Sequence, residues 1–527
     1  MIIDLAEGVP GALHADVAVI GAGAAGLTLA RALLDGGLSV VLLESGGADY
    51  EPQTADLNRG EVIGEPYYDL HQARLRLFGG TTAIWGGRSA ELDPIDFEQR
   101  DWVPWSGWPF GAGDLQPWYR RAWRLFELLP EGALQDDPLL ARIAGSELAV
   151  RRWFIDSRFD RFGLPRNRHL ASHPRLTLAL HATVREILAV PSAGAIEALD
   201  VRSPAGERLT VRARCYVLAA GGLENPRLLL ASRSVVPTGL GNGRDLVGRF
   251  FMEHPHGRGG RIVHAAAWRL LQAFRKHPLG WQETAALLTA SPELQRQRQI
   301  LNTALTIAVR PPASGQHPLL TSAYLAAKHR IEPTRRGRAL WQAYKSAGRR
   351  GRDLTGAFYW WARYRAGLGE MAVVLRAEQA PNPDSRVMLG TDTDATGMPR
   401  LRLDWRLSPQ DRTSAAELVA AFARQLRAAS LGTVEPAPWL AEDGRDWVHD
   451  LLVSVHPLGG YHHMGTTRMA DSPERGVTDG WGRVHGIDNL YVAGSSLFPT
   501  GGWANPTLTI VALALRQADR LRQRLRG

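Results

Sequence analysis

Asp16-Val17-Ala18-Val19-Ile20 is a short β-branched run that predicts a buried parallel strand, and Leu27 to Leu34 follows it as an apolar helix. A second strand, Ser39 to Leu43, ends in Glu44. Later apolar segments predict strands at Tyr216-Val217-Leu218, Met371 to Leu375, Leu401 to Trp405 and Asn489 to Gly494. Helical spacing predicts helices at Leu115 to Leu128, Arg412 to Ser430 and Leu508 to Leu515. The alternation places the chain in the α/β class.

Between the first strand and the first helix stand Gly21, Gly23 and Gly26, the G-x-G-x-x-G spacing of a dinucleotide cradle. The glycines permit the tight turn, the backbone approach to a pyrophosphate and close helix packing. Glu44 sits where a carboxylate takes a ribose hydroxyl, about 20 residues beyond them. The spacing leaves NAD and FAD open. A second glycine-rich stretch, Leu77 to Gly87, lets backbone pass close to a flat ring, and its place against an isoalloxazine favours FAD. A length of 527 residues suggests two or more domains. Strand-plus-glycine signals recur in 11–95, 176–258 and 451–527, which read as one Rossmann-like domain with a discontinuous chain path. Residues 96–175 read as a connecting and covering segment. The stretch 259–450 reads as a substrate-binding domain, with Met371 to Leu375 and Leu401 to Trp405 in an antiparallel sheet facing the flavin, accompanied by helices.

Asn505-Pro506-Thr507 has the form of a helix start, Asn as N-cap and Pro at the first helical position. Such a helix points its positive end inward, where it would favour the negative charge of a reduced flavin. The single cysteine, Cys215, excludes an intrachain disulfide and reads as a small buried residue. No acid-plus-histidine cluster has metal-ligand spacing, and His462 and His463 are adjacent rather than a helical turn apart. With no charged, apolar leader and no apolar run near ~18 residues, a cytoplasmic protein is expected. The net charge of +9 is concentrated in residues 328–365, where aromatic residues interleave with the basic ones. That composition suits contact with anionic lipid, a redox partner or nucleic acid, and equally a solvated helical face. Nucleic acid is set aside, because no recognised binding module surrounds the patch.

The fingerprint with Glu44, the Gly79 to Gly87 loop, Val217 to Gly222 with Glu224-Asn225-Pro226, Met252-Glu253-His254-Pro255, His462-His463-Met464-Gly465-Thr466 and Trp503 to Thr507 together resemble the glucose-methanol-choline (GMC) oxidoreductases. The C-terminal motifs are most similar to the pyranose oxidase and glycoside oxidase branch. The resemblance implies a flavin enzyme in which His462 takes the hydroxyl proton of an alcohol, Asn505 holds the same oxygen and hydride passes to flavin N5. His456 and His463 stand as bystander candidates. The implied FAD-binding residues are Gly21, Gly23, Gly26, Glu44, Gly79, Gly80, Thr81, Trp85, Gly86, Val184, Gly494, Pro506 and Thr507. Where several members tether FAD through histidine this chain has Ile84, so FAD is expected to bind non-covalently. Gly86 replaces the flavin-side threonine of pyranose oxidases, which leaves oxidase and dehydrogenase open, with oxygen, a quinone or a redox protein as acceptor. The implied substrate is a sugar or glycoside secondary hydroxyl, and Trp503 offers either a face for a pyranose ring or a packing residue. Two alternatives stay open: the flavoprotein subunit of a membrane- or cytochrome-linked dehydrogenase, and a non-redox FAD-containing lyase.

Overall fold

Val17 to Ile20 are buried without interruption, as a strand covered on both faces requires. The structure is a computed structural model that describes residues 1–8, 11–128, 137–156, 158, 160–280, 282–312, 332–441, 446–454 and 456–526. The strand Ala12–Ile20 lies at the centre of an eight-stranded sheet, parallel to Val40–Leu43 on one side and to Arg208–Leu218 on the other. Leu176–Leu180 and Ile2–Asp4 continue the parallel order outward.

The strand Arg208–Leu218 has two partners on its far edge. Its first residues pair antiparallel with Ile196–Arg202, itself in a hairpin with Thr183–Ala189, and Tyr216 to Leu218 pair parallel with Leu490–Val492. Cys215 is buried opposite Val17 in this sheet, in keeping with a packing role. The helix Ala24–Asp35 packs on Thr507–Arg526, which is covered in turn by Ala112–Phe126. Tyr119 and Thr509 join the last two through their hydroxyls at 2.8 Å.

A second eight-stranded sheet is antiparallel throughout. Its order is Thr433–Pro436, His256–Val263, Glu370–Arg376, Ala304–Arg310, Gln282–Ala290, Leu148–Ile155 and Arg88–Ser89, with His277–Leu279 added on Gln282–Ala290. Pro138–Ala144, Ala267–Phe274 and Pro409–Ala428 close its core. The expected strand at Met371 to Leu375 lies here. Leu148–Ile155, from the segment read as connecting, also belongs to this sheet.

The segment around Leu401 does not. Pro399–Asp404 forms a separate three-stranded sheet with Arg386–Thr393 and with Gly60–Val62 from the N-terminal piece. Alternation at Leu401, Leu403 and Trp405 reports a half-buried strand, but the partner is set by a chain segment some 340 residues away, which alternation does not encode. Trp405 is fully buried and donates its indole N–H to Gln379 at 2.9 Å.

Within the basic region the helices Arg335–Thr355 and Ala357–Arg365 follow one another. Residues 328–331 lie outside the described residues, as do the side chains of 345–354. Leu340, Tyr344 and Phe358 are exposed, whereas Trp360, Trp361 and Tyr364 pack against the second sheet's core. Among the described residues no helix is long and apolar enough to cross a membrane.

Candidate active site

The first glycine loop is held by Glu44. Its carboxylate accepts the N–H of Ala22 at 3.0 Å and that of Gly46 at 2.9 Å, while burial pushes its pKa up to about 7 against those bonds. Gly21 has φ +105°, a conformation that side chains resist, and a Cβ on Gly26 would overlap the Gly21 carbonyl oxygen. Gly23 differs, since a Cβ there would meet no atom within 4 Å. The second glycine loop docks on the first: Gly79, at φ +96°, donates its N–H to the Ala22 carbonyl at 2.8 Å.

One cavity runs along both loops. Gly21, Gly23, Glu44 and Val184 line it together with Gly79, Gly80 and Thr81. Trp85, Gly86 and the exposed Ile84 continue the wall, which Gly494, Pro506, Thr507, His462 and Asn505 complete. Gly26 alone of the expected residues stays outside, acting through helix packing. A turn of glycines with open space at Gly23, beside a carboxylate at the end of the second strand, fits the pyrophosphate and ribose of a dinucleotide.

The opposite end of this constellation contains a chain of three groups whose proton positions can be deduced. The Gly502 carbonyl lies 2.8 Å from His254 Nε2, so that nitrogen carries the proton. Burial holds the His254 pKa down to about 4, so the ring is neutral and its Nδ1 is an acceptor. His462 Nδ1 stands 2.7 Å from it and therefore donates. His462, whose pKa burial and the neighbouring histidines and Arg376 hold well below the ordinary value, is left with a bare Nε2. The Asn505 amide nitrogen faces that Nε2 at 3.0 Å.

Glu253 positions this base through the backbone. The fully buried carboxylate accepts the N–H of Gly460, of His254 and of His462, together with the Tyr67 hydroxyl at 2.8 Å. His463 meets the Tyr67 hydroxyl at 2.9 Å, and His456 contributes its carbonyl to His256. Trp503 is 3% exposed and bonds Asp93 through its indole N–H, in keeping with a packing residue. Asn225 accepts the N–H of Ala220 and donates to the Ala493 carbonyl and the Ser496 hydroxyl, tying together segments some 270 residues apart. Sequence reasoning named the segment Met252 to Pro255 without assigning Glu253 or His254 a role. The adjacent acid and imidazole within an otherwise apolar Phe250-Phe251-Met252 context were the available signal.

Residues 16–239 match the family model described as FAD dependent oxidoreductase, and residues 381–514 match that described as GMC oxidoreductase. Paromamine 6'-oxidase of Streptomyces fradiae is 26% identical, over 95% of this chain and 90% of that protein. The fructose dehydrogenase large subunit of Gluconobacter japonicus is 24% identical over 96% and 97%. The crystal structure of pyridoxine 4-oxidase from Mesorbium loti shares the fold, with a TM-score of 0.57 over 96% of this chain and 98% of that one, at 17% identity. The two matched regions carry the glycine cradle and the His462 and Asn505 segments respectively, and the chain is an FAD-dependent oxidoreductase of the glucose-methanol-choline family.

Proposed function

We propose that the enzyme oxidises a hydroxyl group of a sugar or glycoside to a carbonyl, with His462 as base and Asn505 as partner of the reacting oxygen. The observation that carries this reading is the bare His462 Nε2 held 3.0 Å from the Asn505 amide on the wall of the cavity. A hydroxyl set against both groups would give its proton to Nε2 and receive the amide N–H on its oxygen. The imidazolium so formed keeps its Nδ1 proton directed at His254, so the charge is shared within the pair. FAD supplies the hydride acceptor, and Ile84 at the tethering position supports non-covalent binding. The sugar assignment draws on the similarity to paromamine 6'-oxidase and to the fructose dehydrogenase large subunit.

Anaerobic mixing of the yellow holoenzyme with a panel of sugars, glycosides and simple alcohols tests the proposal. Bleaching by a sugar that His462→Ala abolishes is the expected result. A flavin that stays oxidised across the panel would overturn it and favour lyase chemistry. A second reading, electron delivery to a protein partner, is favoured by the exposed Leu340, Tyr344 and Phe358 on the basic helices. Reoxidation of the reduced enzyme by a cytochrome or quinone much faster than by air would support it.

A further inference from the structure

Two arginines on the cavity wall touch neither His462 nor Asn505, although the charge of Arg376 helps to hold His462 neutral. Arg376 ends its strand directly opposite His256, and Arg88 begins the edge strand of the same sheet. Their guanidinium carbons lie 5.2 and 5.1 Å from the ring centre of Trp153, which is buried at 3% exposure. Arg376 donates to His256 Nε2 at 2.9 Å, and His256 Nδ1 donates in turn to the His456 carbonyl, so this histidine is neutral and offers no counter-charge.

Among the described residues neither guanidinium has a carboxylate partner. The Nε of each is buried without a hydrogen-bond acceptor. The charges that act on Arg376 are Arg88 and Arg310, both of its own sign. Glu283, the acid that acts on Arg88, is bonded to Lys276 at 2.7 Å. Three other deep guanidinia are neutralised, Arg100 by Glu378 at 2.7 Å, Arg227 by Asp394 at 2.7 Å and Arg258 by Glu370 at 2.5 Å, whereas Arg468, away from the cavity wall, has the Trp105 carbonyl and two aromatic rings in place of an acid. A desolvated cation without a partner is costly, two of like sign beside one ring are costlier, and contact with the ring returns only part of that. Both nevertheless keep surface on the cavity, where a ligand can reach them.

We infer that Arg88 and Arg376 form an oxyanion subsite of the substrate cavity, so that the alcohol oxidised here carries an acidic group beside its hydroxyl. Planar guanidinia over a fixed aromatic platform suit a carboxylate, as in a sugar acid, and share their chemistry with sulfate and phosphate esters. The inference rests on the alcohol-oxidising reading of the same cavity and narrows its substrate class.

The test compares matched pairs with the wild-type holoenzyme: methyl glucoside against methyl glucuronide, and glucose against its 6-sulfate and 6-phosphate, by anaerobic flavin reduction. Preference for an acidic member, with kcat/KM higher on the order of 10–100-fold, is the expected result, and the arms identify which oxyanion is taken. Arg376→Gln and Arg88→Gln should each erase most of that ratio, Arg376→Lys less of it, with flavin content recording that the variants fold. Equilibrium titration of the holoenzyme with glucuronate by calorimetry gives a readout independent of turnover, and binding should weaken in both Gln variants. Equal reduction by neutral and acidic members, or a ratio indifferent to both substitutions, would overturn the subsite while leaving alcohol oxidation intact. No reduction by any member would instead remove the reading on which the subsite rests.

Discussion

Glu253 receives the backbone N–H of His462 on both carboxylate oxygens, at 2.9 and 2.7 Å. The base therefore stands on a loop fixed by one buried acid that never touches substrate. In Glu253→Gln an amide NH2 confronts these donors, so the loop should loosen. Stopped-flow reduction of the holoenzyme should show the rate falling by about 10-fold or more, the scale of a lost charged hydrogen bond, with flavin retained. An unchanged rate would remove Glu253 from the positioning of His462.

The same substitution has a pH signature. Burial pushes the Glu253 pKa up to about 7 from 4.5, so between these values the folded state binds more protons than the unfolded one. The stability this brings is fully present below pH 4.5 and is lost as pH rises to 7. Relative to wild type, Glu253→Gln should therefore be most destabilised at pH 4.5 and below and recover by about 3 kcal/mol by pH 8, read from urea midpoints.

His462 is held neutral well below its ordinary pKa, so its own acid limb in kcat/KM should lie below pH 6.5, apart from any limb near pH 7 from Glu253. His254→Ala removes the acceptor of the Nδ1 proton. The tautomer is then free, and the rate of flavin reduction should fall roughly 10–100-fold while the acid limb moves. A lower rate with an unmoved limb would mean that His254 serves packing alone.

His462→Ala should cost on the order of 10²–10⁴ in kcat, the range for general base catalysis. His463→Ala, which removes ring contacts to Tyr67 and Phe251 and no bond to His462 or Asn505, should cost far less. Equal losses in the two variants would contradict the assignment of the base.

Gly23 and Gly26 should separate folding from cofactor binding. A methyl group at Gly26 strikes the Gly21 carbonyl and should prevent soluble expression, whereas one at Gly23 enters open space. A larger Gly23→Val should yield folded protein with native circular dichroism and little bound flavin.

Most of the cradle was legible in the chain because strand, glycines, helix and Glu44 lie within about 30 consecutive residues, where local pattern suffices. His462 and Asn505 were legible through their motifs. The relations that define the base were not: Glu253 and His254 approach His462 across more than 200 residues, and their contact follows from a bridge between Met252 and Met464 rather than from any spacing. Arg88 and Arg376 are likewise joined only by the sheet, through Leu148–Ile155 and its neighbours. Trp503 was ambiguous because an indole beside a cavity motif reads alike whether it faces in or out.

The two-partnered strand Arg208–Leu218 bears on how the enzyme comes into being. Because Leu490–Val492 completes the sheet that carries the cofactor loop, and the base and its amide partner lie on either side of that strand, ribosomal synthesis must proceed through Asn505 before the catalytic pair can meet the cradle. A nascent chain halted after the second sheet would hold the glycine turn and most of the substrate walls, yet expose the apolar edge of Tyr216 to Leu218 to solvent and chaperones. Assembly is thereby ordered in time, with chemistry arriving last.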